Sequence, residues 1–423
     1  MVTRGEGNDI LQKKTVYSLL SKKGKQIYFP KKGVFAQSAE AEGCALNATI
    51  GMALDEDKTP MRLQTIVEYC PLQPEKVFPY ASSFGVKELR KKWRDYLLRQ
   101  NLSLQKKEIS LPIVTNGLTE ALSITAFLFV DSGDAIILPS PYWENYSLLF
   151  GTRYGAVLEE FPLFEKGRFN LKGLESKITT KGKKKIVLLN FPNNPTGYTI
   201  TKEEAEEIVT LLKSAADQGK RLVVICDDAY FGLQYEPELM KESLFALLCD
   251  AHENILTLKI DGASKELYAW GLRVGFLTFG ILGWTAKIYT ALEEKVAGTI
   301  RADISNVSRL SQSLVLETLN NPRFSKEKKE KDLLLERRYR KVLAVLEANP
   351  HYKEEFTALP FNSGYFMCIK PHHEAEIIRR RLREKYDTGV LVTGNLLRIA
   401  FSSVTMEEIP LLFENLYKAC KEV

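Results

Sequence analysis

The sequence predicts an α/β protein: a large unit on a mostly parallel seven-stranded sheet flanked by helices, with a smaller α/β unit beside it. Three observations point there. At 423 residues the chain exceeds what one small core holds, which argues for two units. From residue 80 onward, amphipathic stretches alternate with short apolar strands and turns. Several strand stretches are continuous apolar runs, as strands covered on both faces require.

In order along the chain, residues 1–40 are polar and weakly periodic and are expected to form an N-terminal arm. The large unit is expected over 70–320, and the small one over 41–69 together with 330–423. The first helix, "SFGVKELRKKWRDYLLRQ", sets Leu89, Trp93 and Leu97 four apart on one face. Seven strands are expected at 111–115, 135–139, 156–160, 185–191, 221–227, 254–260 and 274–280, the last running against the others. Between the fourth and fifth, Thr201 and Glu204 form a capping box, Ala205, Ile208, Val209, Leu212 and Ala216 recur at helical spacing, and Gly219 ends the helix. Further on, "SKEKKEKDLLLERRYRKVL" reads as a solvated amphipathic helix with Leu333, Leu334, Val342 and Leu343 on its apolar stripe. The region 330–423 reads as helix, strands, helix.

Composition narrows the function. Hydrophobic content of 45%, charged content of 26% and a net charge of +6 suit a globular enzyme and not a nucleic-acid binder. Six cysteines without close pairing, four in apolar or strand-like contexts, suggest reduced thiols in the cytoplasm. His372 and His373 lack a nearby cysteine partner, so no metal site is expected. The first residues have no apolar stretch of signal-peptide type, and the run "LSITAFLFV" is short of a membrane span.

Ligands of open α/β sheets bind beyond the carboxyl ends of the strands. There the chain places "NGLTEAL", "PYWENY", "PNNPTG", "DDAY" and "DGASK", five segments rich in Gly, Asn, Asp, Tyr, Trp and Lys. Lys265 stands among small residues, with Arg273 eight positions later. Asp227 ends an apolar strand, where a carboxylate is costly unless paired; the alternative is that Asp227 or Asp228 caps the next helix, the better reading for Asp228.

"NFPNNPTG", "DDAY" and "SKELYAWGLRVG", in this order, resemble the class I/II aminotransferases, the aspartate aminotransferase-like branch of fold-type I pyridoxal-phosphate enzymes, over roughly residues 45–405. The resemblance implies pyridoxal 5′-phosphate as cofactor, held by Lys265, whose freed amine then moves the substrate α-proton. It implies that Asp227 pairs with the ring nitrogen, that Asn194 and Tyr230 donate to the ring oxygen, and that Trp143 stacks on the ring. Gly117, Leu118, Thr119, Ser264 and Arg273 would hold the phosphate, the first two through their backbone at a helix start. An ordinary helix start and a core tryptophan are the competing readings for Gly117–Thr119 and Trp143. Gly262 and Tyr146 depart from relatives that carry a hydroxyl residue and a histidine at these places. Asn194–Pro195 is a candidate cis bond.

For the substrate, the resemblance matches Arg398 in "NLLRIAF" to the arginine that grips the α-carboxylate. Ile50 and Gly51 match the entrance, and Asn194 also faces the substrate. Tyr80 matches the tyrosine that reaches the phosphate of a neighbouring subunit, which implies a homodimer. Arg301 in "TIRADISN" resembles the arginine that binds a distal carboxylate across that interface; a surface arginine is the alternative. The implied activity is transfer of an amino group from an L-amino acid, acidic or aromatic, to a 2-oxo acid. A C–S β-lyase of the same fold shares Lys265, Asp227 and Arg398 and stays open. A cofactor-sensing regulator would need a DNA-binding domain, for which the polar N-terminal stretch leaves no room.

Overall fold

The computed structural model describes residues 18–27, 33–70 and 72–423. Most of the expected arm therefore lies outside the described residues. Helix α1 (Lys87–Gln100) buries Leu89, Trp93 and Leu97 together, as their spacing on one face requires. The seven expected strands follow within a few residues of their anticipated ends: β1 (Ile113–Thr115), β2 (Ala135–Ser140), β3 (Val157–Pro162), β4 (Lys184–Asn190), β5 (Arg221–Asp227), β6 (Ile255–Gly262) and β7 (Gly275–Gly280). They form one sheet in the order β1-β7-β6-β5-β4-β2-β3. Its neighbours pair in parallel except at β7, which runs antiparallel to both β6 and β1. In β4 and β5 every residue after the first is buried, which explains their unbroken apolar runs.

Helix α2 (Leu118–Phe129) follows β1, and α3 (Lys202–Asp217) links β4 to β5. The capping box at Thr201 and Glu204 is present in both directions. Glu204 does more than cap: it also accepts from Tyr198 Oη and the Phe169 amide, so this buried carboxylate ties three segments together. Beyond β7 come α4 (Ala286–Asp303), α5 (Arg309–Asn320) and the long α6 (Phe324–Ala348). The buried stripe of α6 is Leu335, Arg338, Tyr339, Val342 and Val345; Leu333, expected on it, is 44% exposed. Arg338 takes an inner place because its guanidinium is spent on Glu56 and the Ser402 carbonyl.

A second sheet, β8-β9-β11-β10, is antiparallel throughout. Its strands are β8 (Phe356–Ala358), β9 (Phe366–Pro371), β10 (Leu391–Thr393) and β11 (Leu396–Ala400), and α8 (Glu408–Lys421) closes the chain. Between β9 and β10 the structure inserts α7 (Ala375–Tyr386), which the expected order of helix, strands and helix lacked. Early residues join this sheet region. Leu46–Asn47 pair with Thr388–Gly389, the Ala400 amide donates to Ala48, and the Leu54 amide donates to Ser402. The short helix Val34–Glu40 docks on β10, where the Gln37 amide group accepts from the Val392 amide at 2.6 Å and donates to its carbonyl at 3.2 Å. No helix among the described residues is long and apolar enough to cross a membrane. All six cysteines are free, and Cys226, Cys249, Cys368 and Cys420 are buried.

Candidate active site

The carboxyl ends of β4, β5 and β6, the start of α2, and β11 of the second sheet surround a cavity of about 510 Å³. This is where an open α/β sheet places a ligand. Lys265 sits on the helical turn Ala263–Glu266 just past β6. Its amine lies 5.1 Å from the centre of the Tyr230 ring. Burial pulls the amine down to a pKa of about 8; the Asp227 carboxylate opposes the shift and Arg273 adds to it. A lysine so placed is neutral for a useful fraction of the time near neutral pH.

Asp227 closes β5 and is buried. Burial raises its pKa, while a hydrogen bond from Tyr146 and the charge of Lys265 hold it back. Tyr146 Oη donates to Asp227 Oδ2 at 2.5 Å and the Ala229 amide donates to Oδ1 at 3.2 Å. Asn190, at the end of β4, donates to the Asp227 carbonyl at 2.8 Å and accepts from the Asn194 amide at 2.8 Å. One side chain thus fixes the Asp227 and Asn194 loops relative to each other. Asn194–Pro195 is cis, as are Ser140–Pro141 and Phe191–Pro192. Asp228 caps no helix, contrary to the sequence reading. It is buried, accepts from Ser243 at 2.5 Å and pairs with the fully buried Lys259. The pairing partner lies on β6, which local sequence does not reveal.

Gly117 has φ 76° and precedes α2. A Cβ there would stand 2.3 Å from Arg273 Nη2, so the absence of a side chain is what lets the guanidinium approach the helix start. Gly275 meets the backbone of Gly117 and Leu118 as closely, at 2.6 Å from a built Cβ. A cation against the positive end of a helix is unfavourable unless an anion joins them. Among the described residues, the Arg273 side chain donates only to the Trp270 carbonyl, at 3.0 Å. Ser264 Oγ nearby is buried with no hydrogen-bond partner among the described residues. This donor set fits a phosphate, and with Lys265 and Asp227 it fits pyridoxal phosphate.

Across the cavity, Arg398 projects from β11. It is 6% exposed. It donates to the Thr49 carbonyl at 3.1 Å and to Asn194 Oδ1 at 3.4 Å, stands 4.3 Å from the Phe366 ring centre, and leaves Nε unpartnered. No ion-pair partner of Arg398 occurs among the described residues. A buried guanidinium in that condition suits a carboxylate supplied from outside.

Of the residues expected from sequence, Lys265, Asp227, Tyr230, Asn194, Ser264, Arg273, Arg398, Trp143, Leu118, Thr119, Ile50 and Gly51 line this cavity, and Gly117 borders it through Arg273. Tyr80 and Arg301 do not. Tyr80 is 92% exposed, and Arg301 is exposed in the last turn of α4. Their segments touch each other: Ser83 Oγ donates to the Ser305 carbonyl at 2.8 Å. Sequence reasoning missed Asn190 and Trp270, and it matched Tyr146 to a histidine position of relatives without naming its partner. Asn190 was open to detection as the strand-ending residue directly before "FPNNPTG"; Tyr146 meets Asp227 only in three dimensions.

The sequence model of the family described as aminotransferase class I and II matches residues 54–416. A probable aspartate/prephenate aminotransferase of Aquifex aeolicus is 30% identical over 254 residues, which cover 58% of this chain and 57% of the relative. The aspartate aminotransferase of Thermotoga maritima is 29% identical over 263 residues, 61% of this chain and 63% of that one. The chain thus spans little more than half the length of these curated relatives. Among solved structures, an aminotransferase of Anaerococcus prevotii superposes with a TM-score of 0.84 at 24% identity, covering 95% of this chain and 99% of that one. A Thermus thermophilus aspartate aminotransferase variant gives 0.77 at 22% identity over 95% and 99%.

Proposed function

We propose that this chain, which belongs to the class I and II aminotransferases, transfers the amino group of an L-amino acid to a 2-oxo acid with pyridoxal 5′-phosphate as cofactor. The observation that supports it best is one cavity holding a buried lysine, a buried carboxylate, an arginine at a helix start and an unpaired arginine opposite. When bound, pyridoxal phosphate supplies an aldehyde that bonds an amine and a ring that accepts the electron pair left as the α-proton departs.

The chain's residues supply the rest. Arg273, Ser264, Thr119 and the backbone of Gly117 and Leu118 bind the phosphate. Asp227, oriented by Tyr146, would pair with the ring nitrogen. Asn194 and Tyr230 would hold the ring oxygen, and Trp143 would stack on the ring. Lys265 Nζ takes the α-proton as a neutral amine and returns it as an ammonium, a role that its lowered pKa suits. Arg398 orients the donor by its α-carboxylate, while Ile50 and Gly51 edge the entrance.

Two copies complete the site in this reading, with Tyr80 reaching the neighbour's phosphate and Arg301 its substrate. The donors are acidic or aromatic amino acids, and the free, mostly buried thiols suit the cytoplasm. Steady-state kinetics with aspartate and with phenylalanine test the assignment. Arg398→Ala should lower kcat/KM for both donors by ~100-fold, about 2.7 kcal/mol. Arg301→Ala should cost aspartate ~10-fold more than phenylalanine. Equal losses in Arg301→Ala would remove it from donor choice, and an active Arg398→Ala would overturn the carboxylate assignment.

A further inference from the structure

Three residues beyond Lys265, Tyr268 adopts φ 53°, a left-handed conformation that a bulky side chain disfavours. Such outliers persist only where surrounding contacts impose them. Here the contacts are visible. The Tyr268 ring is buried, 3% exposed, with its centre 6.0 Å from that of Trp270. Its hydroxyl donates to Asp332 Oδ1 at 2.6 Å, and Asp332 Oδ2 accepts from Lys328 Nζ at 2.7 Å. Both partners sit on α6, one turn apart, far from Tyr268 in sequence. A tyrosine hydroxyl on a carboxylate already charge-paired is a strong, directional bond.

The tethered residue closes the turn that presents Lys265. The Leu267 amide donates to the Ala263 carbonyl at 3.1 Å, the Tyr268 amide to the Lys265 carbonyl at 3.3 Å, and the Ala269 amide to the Ser264 carbonyl at 3.2 Å. Relaxing φ at 268 would redirect the chain that leads to Arg273, itself left-handed at φ 53°. Helix α6 also contacts the segment after β11, the strand that carries Arg398, since Arg338 donates to the Ser402 carbonyl at 2.6 Å. The same helix is therefore tied both to the turn that follows Lys265 and to the segment that follows β11.

We propose that Tyr268 is a positioning residue: its bond to Asp332 holds the left-handed turn that aims the Lys265 amine into the cavity. The inference rests on the reading of Lys265 as the residue that bonds pyridoxal phosphate. The full-length chain, freed of cofactor, is mixed with pyridoxal phosphate. The amine condenses with the aldehyde carbon and water leaves; borohydride then delivers hydride to the C=N bond, and peptide mass spectrometry counts the adduct at Lys265 against time. Melting temperature is followed for each variant.

Tyr268→Phe and Asp332→Asn should each slow the adduct ~10-fold, with melting temperature within about 3 °C of the parent. Tyr268→Ala and Tyr268→Gly lose the same ring, but glycine adopts this φ freely. Tyr268→Gly should therefore form the adduct ~10-fold faster than Tyr268→Ala. Parent-like rates in Tyr268→Phe and Asp332→Asn overturn the proposal, as does a Tyr268→Gly no faster than Tyr268→Ala. Rate losses that merely track melting temperature overturn it too. If the parent forms no adduct at Lys265, the site assignment itself fails and the inference falls with it; a reactive parent with unaffected variants removes the inference alone.

Discussion

Lys265 owes its chemistry to burial first and to its neighbours second, and the sign of the shift gives a pH prediction. With a folded pKa of about 8 against 10.5 for an ordinary lysine, its reaction with an aldehyde should rise through pH 8 and level off near pH 9. A rate still climbing at pH 10 would contradict this. Between about 8 and 10.5 the folded chain binds fewer protons at this residue than the unfolded one, so its contribution to stability rises with pH across that window and is a constant cost below it. Gly117 gives a second residue-scale prediction. Gly117→Ala forces a Cβ against Arg273 and strains a positive φ, so affinity for pyridoxal phosphate should fall at least ~10-fold while affinity for unphosphorylated pyridoxal stays put. Equal loss for both, measured by fluorescence titration, would mean the phosphate sits elsewhere. Lys265, Asp227, Asn194 and Arg398 were legible because short motifs name them. The Tyr146–Asp227 bond, between residues 81 apart in sequence, was not, because nothing local to either residue signals the other.

At the scale of elements, the central strands were readable because burial on both faces writes an unbroken apolar run. Helix α3 was readable because its cap is local chemistry. Thr201→Ala should cost about 1 kcal/mol, seen in denaturant unfolding, since the side chain's bond to the Glu204 amide is lost. No change would mean that Glu204 alone holds the helix start through Tyr198 and Phe169. Helix α7 escaped notice because charge masks its pattern: Arg379 takes an inward position among Ala375, Ile378 and Leu382, neutralised by Glu376 and Glu40. Lys259 likewise breaks the apolar run of β6, where it is tolerable only because Asp228, just past β5, and Asp261, on its own strand, meet it, although this strand was still readable from its flanks. In α7 the long-range pair of Arg379 with Glu40 overrides the local hydropathy signal.

At the scale of the molecule, the site is assembled from distant parts of the chain. Thr49, Asn194 and Arg398 meet across hundreds of residues, and the Leu46–Asn47 strand pairing explains how an early segment reaches a late sheet. If Tyr80 and Arg301, both exposed in one chain, reach a second copy as proposed, sedimentation should give about twice 48.0 kDa. A fully active monomer would remove both residues from the site. The most direct test of the whole account is the fate of the nitrogen. The chain is incubated with pyridoxal phosphate, 15N-labelled aspartate or phenylalanine, and 2-oxoglutarate, and the products are read by mass spectrometry. The account predicts 15N in glutamate, matched by the oxo acid of the donor and abolished in Lys265→Ala. Label released as ammonia, or transfer undiminished in Lys265→Ala, would contradict it.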